Sequence, residues 1–314
     1  MKPSLLILLV GFSLQLSAQQ IFPTKLKNVK TKKHIRIAST RFSIVPPAGF
    51  HNVPGFIGME KNDSVLIQFI DQQGGDYTRN VNSLMQMLIN TTDVIEDSGD
   101  AEVGSFKAKF LILYAKPLNN QRRYFLLFGD TSFIATVYAE CQLSDSLLNL
   151  DIIHAMQSVY FDKELKFDPF EVATFTIDDS KSTFKYSDFT AGTFIYTLEG
   201  KKIGTIDQTS SYVNIGMRFW KDTSATMADM GEINNYKVKY NVYKVKSLST
   251  QPINGYPAEE MVMYGIRDRK QILIYLLLMV HGQTAILLLG DIRSDHENQL
   301  TDIRKLAATI KFKE

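Results

Sequence analysis

Ala108-Lys-Phe-Leu-Ile-Leu-Tyr114 and Ala258-Glu-Glu-Met-Val-Met-Tyr264 open two stretches that read alike. In each, a strand ending at a tyrosine is followed by a long apolar hairpin and an amphipathic helix. A β-like tail closes each one, Ser158-Val-Tyr-Phe161 in the first and Thr309-Ile-Lys-Phe312 in the second. The offset is 150 residues at the tyrosines, 152 from Ser132 to Thr284, and 151 at the closing phenylalanines. Short loop changes explain that drift. The letters differ while the pattern repeats, which points to one unit duplicated and fused.

Ile272 to Val280 is an unbroken apolar run, and Ala285 to Leu289 continues it beyond His281-Gly-Gln-Thr284. Gly129-Asp-Thr-Ser132 interrupts the first stretch at the matching place. A buried hairpin explains both interruptions, and a membrane-spanning helix explains neither. A run apolar on both faces is expected of a strand covered on both sides. The second cover would be a helix, the other half of the chain or a second chain. Leu147, Leu150, Ile153 and Met156 are expected to form the buried stripe of one helix. Leu300, Ile303, Leu306, Ala307 and Ile310 are expected to form that of the other.

Val81, Leu84, Met85 and Leu88 predict a further helix, ending at Asn90-Thr-Thr92. Val94 to Gly104, with Glu96, Asp97, Asp100 and Glu102, reads as a polar crossing. Phe194 to Leu198 and Lys202 to Ile206 read as a hairpin. Tyr236, Val238, Tyr240 and Val242 alternate with lysines and asparagine, the period of a half-buried strand. The expected fold class is α+β, two tandem modules that are each an antiparallel β-sheet packed against helices. They would occupy residues 36–162 and 170–314, with 163–169 as a linker stopped by Pro169.

The phrase FSIVPPAGF (residues 42–50), followed by Phe56-Ile-Gly58, resembles secreted, uncharacterised proteins of Bacteroidota. Through them the chain resembles the superfamily that includes PsbP of photosystem II and the Ran-binding Mog proteins. The resemblance spans most of residues 36–161 and, more faintly, 170–312. It implies PsbP/Mog-like modules used for binding or assembly, and it carries over no catalytic residue.

Lys2, the apolar run Leu5 to Leu16 and Ser17-Ala18 read as an export signal cleaved after Ala18. Residues 1–18 would then be absent from an exported chain, periplasmic or secreted, with no transmembrane segment. Gln19 to Met59 holds seven cations and no acid, within a chain of formal charge only +2. A basic arm on an acidic body follows. Residues 19–35 are expected to be flexible and dispensable for folding, because they offer little apolar surface to offset ordering. Lys25, Lys27, Lys30, Lys32, Lys33 and Arg36 would be the contacts if the arm met an anionic membrane surface.

Signs of chemistry are sparse. Gly74-Gly75 lacks the lysine and hydroxyl that a phosphate loop needs. The acids at 96–102 lack the ligand spacing of a calcium loop. Cys141 reads as a buried, inert thiol. Lysines interleaved with aromatics at 236–243 suit a solvated sheet face better than nucleic acid, given the acidic body. Trp220 reads as a packing anchor. No metal, cofactor or nucleic-acid partner is implied. The expected function is a non-catalytic envelope binding or accessory protein, in the manner of an assembly factor. A hydrolase with an unrecognised site is the alternative, because a triad is assembled in space and not in sequence.

Overall fold

The computed structural model describes residues 22–62, 65–89, 93–115, 120–202, 210–219 and 232–313. The export signal with its cleavage after Ala18, Asn90-Thr-Thr92, Trp220 and most of the Lys202 to Ile206 segment lie outside the described residues.

The first half runs β1 (Lys25–Leu26), β2 (Ile35–Arg36), β3 (Phe42–Ile44), β4 (His51–Asn52), β5 (Gly58–Asn62), β6 (Val65–Gln73), α1 (Tyr77–Ile89), β7 (Val94–Val103), β8 (Phe106–Ala115), β9 (Gln121–Gly129), β10 (Phe133–Gln142), α2 (Ser146–Gln157) and β11 (Tyr160–Phe161). The second runs β12 (Phe175–Thr176), β13 (Phe184–Thr190), β14 (Thr193–Leu198), β15 (Tyr212–Phe219), α3 (Glu232–Lys239), β16 (Lys244–Ser249), β17 (Ala258–Arg267), β18 (Lys270–His281), β19 (Thr284–Ile292), α4 (His296–Ala307) and β20 (Lys311–Phe312).

Two large sheets carry the fold. Their orders are β1-β7-β8-β9-β10-β6-β5-β4 and, read from the corresponding edge, β16-β17-β18-β19-β15-β14-β13. From β7 and from β16 inward the sequence of strands is the same, and neighbours are antiparallel throughout. Short ladders close each half, β11 on β3 and β20 on β12.

The expected α+β class is corrected. Of the described residues 49% are strand and 17% helix, so the protein is β-rich and not a pair of PsbP-like sheet-and-helix modules. One hydrophobic cluster runs from Phe22 to Phe312 through both halves, and the helices are small covers on it and on two satellite clusters. The sequence reading undercounted strands because charged strands at sheet edges do not show as apolar alternation. Val94–Val103 is one such strand: its acids face water, and Asp100 meets Lys109 at 3.1 Å.

Tyr236 to Val242 is the opposite error. Alternation suggested a strand, but the chain turns as α3. Residues four apart share one helix face, so the Tyr236 and Tyr240 rings stack 6.3 Å apart while Val238 is left exposed. That face explains the doubly apolar β18. Leu273, Tyr275, Leu277 and Met279 enter the main core, while Ile272, Ile274, Leu276 and Leu278 pack in a second cluster with Tyr236 and Tyr240. On α2 the buried residues are Leu148, Asn149, Ile152, Ile153, Ala155 and Met156, and Leu147 and Leu150 face water. A strict spacing of three drifts off a helix that repeats every 3.6 residues. The α4 stripe lies where its spacing puts it.

The basic arm is not free. Phe22 is buried and stacks on Phe110 at 5.0 Å, and Leu26 is buried in the same core. β1 extends the sheet in parallel with β7, Lys25 opposite Glu102. Asn28 holds both backbone groups of Phe161, donating to its carbonyl at 2.8 Å and accepting its N–H at 2.7 Å. Two aromatic and aliphatic anchors and a paired asparagine offset the ordering entropy that the lysine-rich composition emphasised. Phe22→Ala is therefore expected to destabilise the chain by about 3–5 kcal/mol, measured by urea unfolding, where a flexible arm would give no change.

Arg41 and Asp71 form a pair with side chains 6% and 2% exposed. The guanidinium donates to both carboxylate oxygens, at 2.5 and 2.9 Å, and the Arg41 N–H donates to the same carboxylate at 2.9 Å. The Phe133 and Phe161 rings lie 5.0 and 4.8 Å from the guanidinium. Either Arg41→Met or Asp71→Leu alone should cost about 3–5 kcal/mol, because each strands a buried charge. The double variant should lose much less than the sum of the two, and the unfolding free energies of the three variants check this.

Candidate binding cleft

Between the halves the loop Val53-Pro-Gly-Phe-Ile57 projects from the first sheet against the second. Proline followed by glycine makes the turn, and the Phe56 N–H closes it on the Val53 carbonyl at 3.1 Å. Gly55 sits at φ +77°, a left-handed backbone that suits glycine. A Cβ there would lie 3.1 Å from the Thr174 methyl and 3.5 Å from Met217 Cβ, so the missing side chain is what lets the halves meet. The Ile57 carbonyl accepts the Phe69 N–H at 2.9 Å, tying the loop back to β6.

Two cavities flank this loop and share Val53, Gly55 and Phe56. One, of about 530 Å³, continues past Ile37, Val172 and Thr174 to His281 and Phe312. The other, of about 490 Å³, continues past Ile57 and Leu66 to Met217 and Arg218. Phe56 is half-buried and forms a wall of both.

The polar rim is largely satisfied from within. Glu171 takes Arg36 and the Ser39 N–H, the latter at 3.2 Å. The Ser39 hydroxyl accepts the Val172 N–H at 2.9 Å and donates to the Pro169 carbonyl at 3.0 Å. Lys313 donates to the Phe170 carbonyl at 2.9 Å. His281 packs between Tyr256 and Phe312, its ring 5.3 and 5.4 Å from theirs. Thr174 is the exception. Its N–H meets the Met217 sulfur at 3.3 Å, but its hydroxyl oxygen is buried with no hydrogen-bond partner.

The groups singled out from sequence do not converge here. Arg36 belongs to the rim, its charge met by Glu171. Lys25 pairs with Glu102 at 3.3 Å, and Lys30 lies over the Tyr160 ring at 5.8 Å. Lys27, Lys32 and Lys33 are exposed on the docked arm. Cys141 is fully buried. Burial pushes its thiol up to about 11, despite Tyr124 beside it, so the reactive thiolate is disfavoured. His34 meets the Thr31 hydroxyl at 2.8 Å, but its other ring nitrogen meets the Ser158 carbonyl and not a carboxylate. Also among the described residues, no three His, Cys, Asp or Glu side chains converge as metal ligands would, and no helix is long and apolar enough to cross a membrane. Gly55, Phe56 and Thr174 were missed from sequence. The Pro54-Gly55 pair could have signalled a turn, but nothing in it signals what the turn touches.

No family model matches the chain, and no curated protein matches it. Among solved structures it is similar to a Bacteroides thetaiotaomicron protein at 12% identity and a TM-score of 0.33, over 45% of this chain. The chain spans about half the length of that protein, 46%. It is also similar to the Tle4–Tli4 complex, at 8% identity and a TM-score of 0.34, over 90% of this chain and 99% of the other. A third is the apo T6SS immunity protein TplEi of Pseudomonas aeruginosa, at 8% identity and a TM-score of 0.32, over 84% and 96%. Likenesses this loose assign neither fold family nor role. A Bacteroides protein is among these structures, whereas the PsbP/Mog-like part of the resemblance read from residues 42–58 is not confirmed.

Replacing Thr174 by valine keeps its shape and removes the unpartnered hydroxyl. Thr174→Val is expected to stabilise the free protein by about 1 kcal/mol, seen as a higher urea midpoint at unchanged m-value.

Proposed function

We propose that the protein is a non-catalytic binding protein of the cell envelope whose inter-sheet cleft takes an apolar group. The observation that supports it most is Phe56, half-buried and shared by two adjoining cavities, the first of which has its acid Glu171 held by Arg36. Apolar walls with few free polar groups are what a ligand pocket presents. The envelope location rests on the export signal read in residues 1–18. The first cavity's histidine, His281, is packed between aromatic rings and its acid, Glu171, is held by Arg36, an arrangement that suits binding better than hydrolysis.

An apolar anionic dye, 1-anilinonaphthalene-8-sulfonate, serves as the probe. The full chain is expected to bind it saturably. Phe56→Asp, which puts a charge into both cavities, should weaken binding at least tenfold. Leu147→Asp, on the exposed face of α2, should leave it unchanged. Equal binding by wild type and Phe56→Asp would reject the cleft as the site.

A further inference from the structure

The two large sheets share one strand order from β7 and from β16, yet they treat these edges differently. β7 is acidic, with Glu96, Asp97, Asp100 and Glu102, and is overlaid at its end by β1 from the basic arm. Lys25 faces Glu102 across that pairing, and Phe22 and Leu26 are buried beside it. The end of the first edge, at Glu102 and Val103, is thus covered by a short extended segment of opposite charge with apolar anchors, and among the described residues no strand pairs with the outer side of β7 before Glu102.

β16 occupies the equivalent position. Among the described residues no strand pairs with its outer side, and Lys244 to Leu248 are exposed along their whole length. Val245 and Leu248 are 44% and 56% exposed, and Tyr243 beside them is 55% exposed. This edge is basic: Lys244 and Lys246 lie in the strand, and Lys237 is in the last turn of the helix before it. Glu297 answers Lys246, and Lys244 is the strand's remaining exposed cation.

We propose that β16 takes up an extended acidic segment of a partner protein by strand addition. An open edge supplies the backbone hydrogen bonds, and Val245 and Leu248 supply apolar contact. Charge selects the occupant. A second copy of β16 would bring lysines against lysines. An acidic strand meets the opposite field, as β1 and β7 do with signs exchanged. The surface is separate from the cleft, so this inference stands apart from the cleft's ligand.

The test uses the full chain and two fluorescent ten-residue peptides of equal apolar content, one alternating Val with Glu and one alternating Val with Lys. The acidic peptide is expected to bind, to weaken as salt is raised, and to lose at least tenfold in affinity with Lys244→Glu. N-methylating its alternate backbone nitrogens should abolish binding to the unaltered protein, because that removes the ladder donors and keeps the charge. Equal binding of the lysine peptide or of the N-methylated peptide would overturn the proposal. So would loss of binding with Phe56→Asp but not Lys244→Glu. A concentration-dependent dimer that Leu248→Asp dissolves would also overturn it, by assigning the edge to a second copy.

Discussion

The turn Ser39-Thr40-Arg41 holds the molecule together from a few consecutive residues. Arg41 turns inward to Asp71 on β6, and its carbonyl takes the Asp162 N–H at 3.1 Å, so β3, β6 and the exit from β11 meet at one guanidinium. Ser39 turns the other way, with φ at +56°, and grips the backbone at 169–172 where the second half begins. A buried ion pair is poor as a source of net stability but costly to break. Its value here lies in fixing direction: with Arg41 pinned, Ser39 can face only the entry to the second half. The left-handed backbone at a serine is the local strain that this reversal requires.

From that hinge follow the cleft's dimensions. Glu171 is held by Ser39 and Arg36, which sets Val172 and Thr174 against Gly55. A side chain at position 55 would push Thr174 and Met217 away, and the two cavities would merge or shift. The cleft is therefore a property of the packing between halves and not of either sheet alone. This is why the Thr174 hydroxyl is stranded. Its backbone is fixed by the seam and by Met217, and no polar group of the opposing loop reaches it.

Much of the interior was legible from sequence, because burial writes itself in period. The run Ile272 to Val280, interrupted at His281 and resumed at Ala285, reads as a hairpin and folds as one. The stripe on α4 and the inert Cys141 were equally plain. What failed was everything whose partner is distant. The strand Val94–Val103 hides its pairing behind acids. Tyr236 and Tyr240 fit periods of two and of four equally, and only the apolar face of β18 decides between them. Phe22 and Leu26 are too few to mark an arm as ordered, yet each finds a deep site. Composition averages over a segment, whereas docking is decided by one or two anchors.

Sheet edges show why that distinction matters for a β-rich chain. Every open strand exposes backbone donors and acceptors, and its side chains decide which segment is admitted. On β7 Glu102 meets Lys25 of the arm, and Phe22 and Leu26 fix the arm in place, whereas Glu96 and Asp100 are answered within the sheet by Arg122 and Lys109. Charge alone would leave the arm loosely held, since exposed pairs such as Lys25 and Glu102 contribute little. Apolar anchors alone would admit any hydrophobic strand. The combination gives both selection and affinity, and it is the combination found again, with signs reversed, at Lys244, Val245 and Leu248. Two sheets of one strand order thus differ most at the edge, where a change of a few side chains alters what is bound without disturbing the core.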